Sequence, residues 1–466
     1  MAKTKILSSV WPVVIVANSL PVRQVKAKGR VRWQTSPGGL VSALTPIVEQ
    51  QGGAWIGWPG SVGGVPEPFM QGAIANVPIS VSSVEMKGFY HGVCNRTLWP
   101  LYHDAIRQPE YHRHWWVHYV AVNERFADLA AKTVAPGGLV WVHDYHLHLV
   151  PAMLRERRSD IRIGFFLHIP FPPEELFSRL PWRRQILEGM LGADVIGFQT
   201  RAAVKNFVRL AQRYTDARGR ASRMRLGDRN VRVAAYPISI DFDRYDSMAR
   251  DPAVLERSEN LRDSLGRGRK IILGVDRLDY TKGIDVRVKA FGELFASRRR
   301  SIDDVVLVQL AVPSRERITE YKDLRSRVEE LVGQINGNFA EVGMTPVHYL
   351  RRSLPFEELI ALYRAADVML VTPYCDGMNL VAKEYVATRS DDSGVVVLSE
   401  FAGAASELRS ALQVNPHDVD GITEAMDRAL SLSRRESRRR MRALRGVVER
   451  HTVHDWASSF MKALAG

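Results

Sequence analysis

The sequence of 466 residues has only two cysteines, Cys94 and Cys375, far apart in the chain. That excludes a disulfide framework and makes a reducing cytoplasm the simplest setting. No apolar run reaches the roughly eighteen residues that read as a membrane-spanning helix. The N-terminus, Met1-Ala-Lys-Thr-Lys-Ile-Leu-Ser-Ser-Val-Trp-Pro, lacks an apolar segment of signal-peptide length. Neither half opens with Gly-x-Gly-x-x-Gly, and no Gly-x-x-x-x-Gly-Lys-Ser/Thr occurs. Those absences weigh against dinucleotide-dependent dehydrogenases and P-loop phosphoryl transfer. His143-Asp-Tyr-His-Leu-His straddles a strand end and a helix start and does not have metal-ligand spacing, so no metal is expected. Zinc-finger spacing, RNA-binding aromatics and a single basic face are also missing. Neither nucleic acid nor a membrane is therefore expected as a partner.

What is there fits a soluble globular protein, with 25% charged and 45% apolar residues. The length exceeds one core and suits two or three domains. The net charge of +14 comes from scattered arginine. Its densest patches, Ser297–Ser301 and Arg434–Arg440, read as solvated helix faces or ends. Phosphorylated small substrates are a second reason for surplus Arg and Lys.

The most informative stretch runs from Val371 to Glu384. Asp367-Val-Met-Leu-Val before it is of strand type, and Thr372 and Pro373 end that run. Gly377 permits a tight turn, and Asn379 can cap a helix that starts at Leu380 and Val381. A strand, a turn and a helix N-terminus aim free N–H groups at one point, which suits an anion. Asp376 lies in the turn, and Glu384 about one and a half helical turns past Asn379. An ordinary strand–turn–helix connection is the plainer alternative.

The rest of the chain repeats this logic. Val13-Val-Ile-Val-Ala is a buried strand ending at Asn18-Ser-Leu-Pro. Ser36-Pro-Gly-Gly-Leu follows, where Gly38 and Gly39 leave room for a ligand against a helix start. Residues 89–103, which include Tyr90 and Trp99, are crowded with aromatic and polar side chains and have no clean period. They form either a core edge or a sugar-binding wall. Gly138-Leu-Val-Trp-Val-His is a strand ending at Asp144, a strand-end carboxylate where α/β proteins bind ligands, or else a helix cap. The strand Ile161–Leu167 ends at His168, and three prolines stiffen the loop behind it. The second half starts at Lys270-Ile-Ile-Leu-Gly-Val, with Arg277 and Lys282 flanking the turn that follows. Together they suit a diphosphate, Arg clamping two oxygens and Lys acting as a point charge. The alternative is a pair of surface cations. Trp456, Phe460 and Leu464 share one face of a C-terminal helix. Two successive β/α halves argue for an α/β protein of two doubly wound parallel-sheet domains, with ligands in the crevice between them.

Several of these motifs are familiar together: Ser36-Pro-Gly-Gly-Leu, Thr97-Leu-Trp-Pro, Val142-His-Asp-Tyr-His-Leu, Gly164-Phe-Phe-Leu-His-Ile-Pro-Phe-Pro, Asp276-Arg-Leu-Asp-Tyr-Thr-Lys-Gly, Ile335-Asn-Gly, and Asp376-Gly-Met-Asn-Leu-Val-Ala-Lys-Glu-Tyr. The chain resembles the trehalose-6-phosphate synthases, retaining glycosyltransferases of GT-B architecture, from Val13 to the C-terminal helix. The resemblance implies two Rossmann-like domains facing across a cleft, residues 1–240 for the acceptor and 241–450 for the nucleotide sugar. Residues 451–466 would be a helix packing back on the first domain. It implies glucosyl transfer from a nucleotide-diphosphate glucose to glucose 6-phosphate, no cofactor, no metal, and a homo-oligomer.

In that family's pattern Arg277 and Lys282 would hold the diphosphate and Glu384 the ribose. The amides of Asn379, Leu380 and Val381, with Gly377 and Met378 beside them, would face phosphate or sugar. Asp376 would bind donor-glucose hydroxyls and His168 its O6, while Gly38 and Gly39 would close over the donor phosphates. Asp144, Tyr90, Trp99 and Arg315 would line the acceptor site, the last three toward its phosphate. The set expected to touch the reacting groups is Asp144, His168, Arg277, Lys282 and Asp376. Two positions depart from the family's pattern: Ser19 and Cys375 each stand where arginine is usual. A lost charge-assisted contact to phosphate costs on the order of 2–3 kcal/mol. Arg315 remains, and Arg23 can substitute sterically. The departures leave open a different acceptor, non-phosphorylated or cyclitol-like, and a non-catalytic sugar-phosphate-binding paralogue.

Overall fold

Val13 to Ala17 are buried on both faces, as the middle of a parallel sheet requires. They are the heart of β1 (Trp11–Ser19) in a computed structural model that describes residues 9–27, 30–35, 41, 44–45, 48–49, 52–61, 65–104, 107–265, 268–315 and 318–466. Gly38 and Gly39 lie outside the described residues. The chain divides into two units, Met1–Ile238 with His454–Gly466, and Ser239–Val453.

In the first unit β2 (Val22–Ala27) and β3 (Arg30–Thr35) make a separate antiparallel ribbon. The main sheet is completed by β4 (Ala54–Trp58), β5 (Phe69–Gln71), β6 (Ile74–Pro78), β7 (Val134–His143), β8 (Arg162–Phe166), β9 (Val195–Phe198), β10 (Arg218–Arg220), β11 (Arg223–Leu226) and β12 (Arg229–Ala235). Its order is β10-β11-β12-β9-β8-β7-β1-β4-β6-β5. β1 lies between β7 and β4, parallel to both, so the winding reverses beside it. Ligands of doubly wound sheets bind at that reversal, off the strands' carboxyl ends. Ser19 and Asp144 sit there, at the ends of β1 and β7.

From His454 on, the C-terminal helix Val453–Ala465 belongs to this unit. Phe460 stacks on Trp141 of β7 with ring centroids 4.3 Å apart, and Trp456 packs beside it at 5.2 Å. Gly164 and Gly197 admit it: a Cβ on either would lie 2.7 or 2.8 Å from the Phe460 ring.

The crowded aromatic stretch is a π-helix, Met86–Leu98, continued by the helical turn Trp99–Tyr102. Its i→i+5 pairing matches neither the 3.6 nor the 2.0 period, which is why no period is legible there.

The second unit holds β13 (Lys270–Arg277), β14 (Val305–Val312), β15 (Val347–Leu350), β16 (Val368–Val371), β17 (Val395–Ser399) and β18 (Leu412–Val414), in the order β15-β14-β13-β16-β17-β18. All the neighbouring strands are parallel. Ile284, Val288 and Phe291 of the helix Ile284–Ala296 pack against Ile272, Leu307 and Val368 of the sheet. The reversal falls between β13 and β16, whose carboxyl ends carry Arg277, Lys282 and Asp376. The fold is the α/β pair of doubly wound units that the resemblance implies.

The formal charge of +14 is unevenly shared. The first unit carries all of it, and the second balances. Among the described residues no helix is long and apolar enough to cross a membrane.

Candidate active site

In the first unit the end of β7 bends at Asp144, with φ 73° and ψ 169°. That region is almost confined to glycine and costs on the order of 1–3 kcal/mol for another residue. The strain aims the side chain at the neighbouring strand end rather than at a helix. Asp144 Oδ1 accepts the His168 N–H at 3.2 Å, and the Asp144 N–H donates to Phe166 O at 2.8 Å. The side chain makes no helix-cap hydrogen bond, so the cap reading fails.

The partly buried His168 places Nε2 3.1 Å from His143 Nδ1, the rings stacked 5.4 Å apart. Burial holds the His168 imidazole down at about 3 and pushes fully buried His143 well below the usual range. Both rings are therefore neutral near pH 7. A neutral His168 donates or accepts one hydrogen bond without bringing a charge.

Tyr90 and Trp99 gather round the segment after Asp144. The Tyr90 ring lies parallel to His146 at 5.9 Å, and Trp99 packs on Tyr145 at 5.6 Å and on His103 at 4.0 Å. Trp99 is 3% exposed, so it is chiefly a packing residue, whereas Tyr90 is half-buried. Ser19 is exposed, and its carbonyl accepts the Trp55 Nε1–H at 3.0 Å. Arg23 is exposed as well.

In the second unit the turns after β13 and β16 are tied by the Tyr374 N–H donating to Thr281 O at 2.9 Å. Across that tie Lys282 Nζ pairs with Asp376 Oδ2 at 2.5 Å, and Asn379 Nδ2 donates to the same oxygen at 3.1 Å. The positive φ of the turn falls on Asn379 (73°) rather than on Gly377. Asn379 Oδ1 caps the helix Leu380–Thr388 through the Ala382 N–H at 3.4 Å, leaving the amides of Leu380 and Val381 at the open end of the first turn. The turn is braced from behind: Gly403 N–H donates to Asp376 O and Ala404 N–H to Met378 O. A Cβ on Gly403 would come within 2.0 Å of the Gly377 carbonyl oxygen.

Arg277 is exposed at the end of β13. Arg315 is not an exposed cation. Its Nη1 lies 3.3 Å from the buried Asp279 Oδ2 and 2.5 Å from the Tyr321 hydroxyl. Burial alone pushes the Asp279 carboxyl up, but Arg315, Arg277 and Lys282 around it bring it down to about 2. Glu384 accepts the Tyr363 hydroxyl at 2.9 Å; burial pushes its carboxyl up against the pull of Tyr363 and Tyr245.

Sequence reasoning missed the support beneath this half. Arg287 is fully buried, with Nη1 2.5 Å from Asp276 Oδ2 and 3.0 Å from Gln309 Oε1, Nε 3.1 Å from Thr372 Oγ1 and Nη2 3.4 Å from Lys282 O. One guanidinium thus fixes the ends of β13 and β16 and the Lys282 turn. Its signal was spacing: Ile284, Arg287, Val288 and Phe291 lie at i, i+3, i+4 and i+7, one buried stripe. Lys383, 1% exposed and 2.7 Å from Glu407, likewise pins the Leu380–Thr388 helix to the segment after β17.

Residues 12–466 match the model of glycosyltransferase family 20. The chain is 54% identical to the trehalose-6-phosphate synthase of Mycobacterium avium (strain 104), over 97% of its own length and 95% of that protein. It is 52% identical to that of Mycobacterium tuberculosis (strain CDC 1551 / Oshkosh), over 97% and 94%. Among solved structures it is similar to a UDP-forming α,α-trehalose-phosphate synthase from Burkholderia xenovorans in complex with glucose 6-phosphate, with TM-score 0.89, 35% identity and coverage of 97% of this chain and 100% of that one. It is also similar to the Escherichia coli protein bound with UDP-2-fluoro glucose, with TM-score 0.88, 32% identity and coverage of 97% and 99%. The chain belongs to glycosyltransferase family 20.

Proposed function

We propose that this chain is a retaining glucosyltransferase that moves glucose from a nucleotide-diphosphate glucose to glucose 6-phosphate, giving α,α-trehalose 6-phosphate. The observation that carries it is the Lys282–Asp376 pair at the reversal of the second sheet, beside the capped N-terminus of the helix Leu380–Thr388. A cation, a carboxylate and a set of amides converge there. That is the chemistry a phosphorylated sugar asks for. The names of the relatives support the substrates: one is described with glucose 6-phosphate and another with a UDP-glucose analogue.

In this reading the bond from glucose C1 to the diphosphate oxygen breaks, and its electron pair leaves with the diphosphate. Lys282 and Arg277 stabilise the charge that develops. The acceptor hydroxyl attacks from the same face, and its proton passes to the departing phosphate oxygen. No paired carboxylates of the glycosidase kind are needed. Asp376, its Oδ2 held by Lys282 and Asn379, faces the donor hydroxyls. Gly377, Met378 and the amides of Asn379, Leu380 and Val381 line the donor, Glu384 binds its ribose, and Gly38 and Gly39 close over its phosphates. Neutral His168, oriented through its own backbone by Asp144, reaches the donor O6. Asp144, Tyr90 and Trp99 line the acceptor, with Arg315 toward its phosphate. The two substrates are the only small molecules the reaction calls for. The enzyme works in the cytoplasm as a homo-oligomer.

Ser19 and Cys375 favour a second reading, an acceptor without a phosphate or a cyclitol. Nucleotide release measured with UDP-, GDP- and ADP-glucose against glucose 6-phosphate, glucose and a cyclitol separates the two. Release that depends on glucose 6-phosphate supports the first, and release only with the others supports the second. Calorimetric binding with no release from any pair would make the chain a non-catalytic sugar-phosphate binder.

A further inference from the structure

The arginines that look scattered in sequence are not scattered in space. Strands β10, β11 and β12 form an antiparallel extension at the edge of the first unit's sheet. The register sets Arg218 opposite Arg225 and Arg220 opposite Arg223, and Arg225 opposite Asn230. Carried one pair further, it brings Arg232 level with Arg223. Met224 and Val231, on the opposite face of the same strands, are buried. Arg218, Arg220, Arg223, Arg225 and Arg232 therefore share one face, and all are exposed.

Like charges directly opposite one another destabilise a hairpin, so this face conflicts with the local rules of its own fold. Conflicts of that kind gather at functional sites. Among the described residues none of the five makes an ion pair. The only carboxylates between Arg201 and Arg232 are Asp216 and Asp228, and Asp216 leans toward Arg184 at 3.7 Å. The two arginine runs that stand out in sequence behave differently: Arg299 and Arg300 pair with Glu424 and Asp427, and Arg439 and Arg440 with Glu436. Charge on the edge strand β10 alone would serve to block edge-to-edge pairing. A face that continues across β11 and β12 goes beyond that need.

We propose that this five-arginine face docks the phosphodiester backbone of a nucleic acid, independently of sequence. The backbone places residues two apart along a strand about 6.8 Å from one another, and neighbouring strands about 4.8 Å apart. That is a grid of bidentate phosphate clamps. None of the exposed large apolar side chains among the described residues lies in this extension. The face has nothing to insert into a lipid layer and no aromatic platform to read bases. Contact through phosphates alone follows, and with it a steep dependence on salt. This revises the expectation, drawn from scattered charge, that nucleic acid is not a partner.

The test is fluorescence anisotropy of labelled oligothymidylate and oligoadenylate on the full chain, between about 50 and 200 mM salt. Arg220→Ser, Arg223→Ser and Arg225→Ser are combined in one variant. Arg434→Ser, Arg435→Ser and Arg438→Ser, which remove the same charge from the helix Arg434–Arg450, form the control. Both oligomers should bind alike. The hairpin variant should bind at least about tenfold more weakly and lower the log–log salt slope by about 2, at ~0.7 per lost phosphate contact. It should melt no lower than the parent, since it removes opposed like charges, and the control should bind as the parent does. Equal loss in the control would overturn the proposal. So would no binding at the lower salt, or uptake of phosphatidylglycerol vesicles or polyglutamate in place of the oligonucleotides.

Discussion

Lys282 and Asp376, 94 residues apart in the chain, meet at 2.5 Å because β13 and β16 are neighbours at the reversal of the second sheet. Neither turn alone makes a site. Lys282→Met should lower kcat by roughly 10²–10³, the usual loss when one group stabilising transition-state charge is removed. Nucleotide release under saturating donor measures it. An unchanged kcat with a raised donor KM would mean that Lys282 binds ground and transition states alike.

Arg287 holds that geometry from beneath. Arg287→Met leaves the Asp276 carboxylate buried without its partner and should destabilise the chain by about 3–5 kcal/mol. Asp276→Asn combined with Arg287→Met should regain part of the loss, because the pair then leaves no uncompensated charge behind. Denaturant titration of the three variants checks the order. A double variant less stable than Arg287→Met would contradict it.

Buried neutral histidines set the response to acid. His148, between the Tyr119 and Tyr102 hydroxyls, is held at about 3 by burial, and His143 is also well below the usual range. Both are depressed relative to an unfolded value near 6.5. Their stabilising contribution is present above that value and is lost as pH falls below it, for His148 down to about 3. The loss is up to about 1.4 kcal/mol per pH unit for each ring. Denaturation midpoints should therefore drop between pH 7 and pH 5. His148→Gln should start lower and show a flatter profile. Parallel profiles would contradict the assignment.

Much of this was legible in the sequence, for identifiable reasons. Buried parallel strands are continuous apolar runs, so β1, β13 and β16 and the turns behind them could be read directly, and the repeated β/α alternation carried the fold class. The π-helix was not legible, because its repeat matches no familiar period. The engagement of Arg315 by Asp279 and Tyr321 depends on tertiary contact that no local pattern records. The arginine face needed the pairing register of β10, β11 and β12, since its residues are split among three strands and alternate with buried ones along β11 and β12.

Ser19 is exposed at the end of β1. Ser19→Arg should restore a cation toward the acceptor phosphate, lowering the KM for glucose 6-phosphate by roughly tenfold or more with kcat little changed, as uniform binding does. An unchanged KM for glucose 6-phosphate, with turnover of an unphosphorylated acceptor, would mean that the pocket is built for another molecule.

The proposed reaction is glucosyl transfer with retention onto glucose 6-phosphate. Proton NMR of the product formed from a nucleotide-diphosphate α-glucose and glucose 6-phosphate tests it most directly, because it reads both anomeric configurations at once. The expected product is a disaccharide phosphate with both anomeric centres α. A β linkage, or nucleotide release that yields only free glucose, would contradict it.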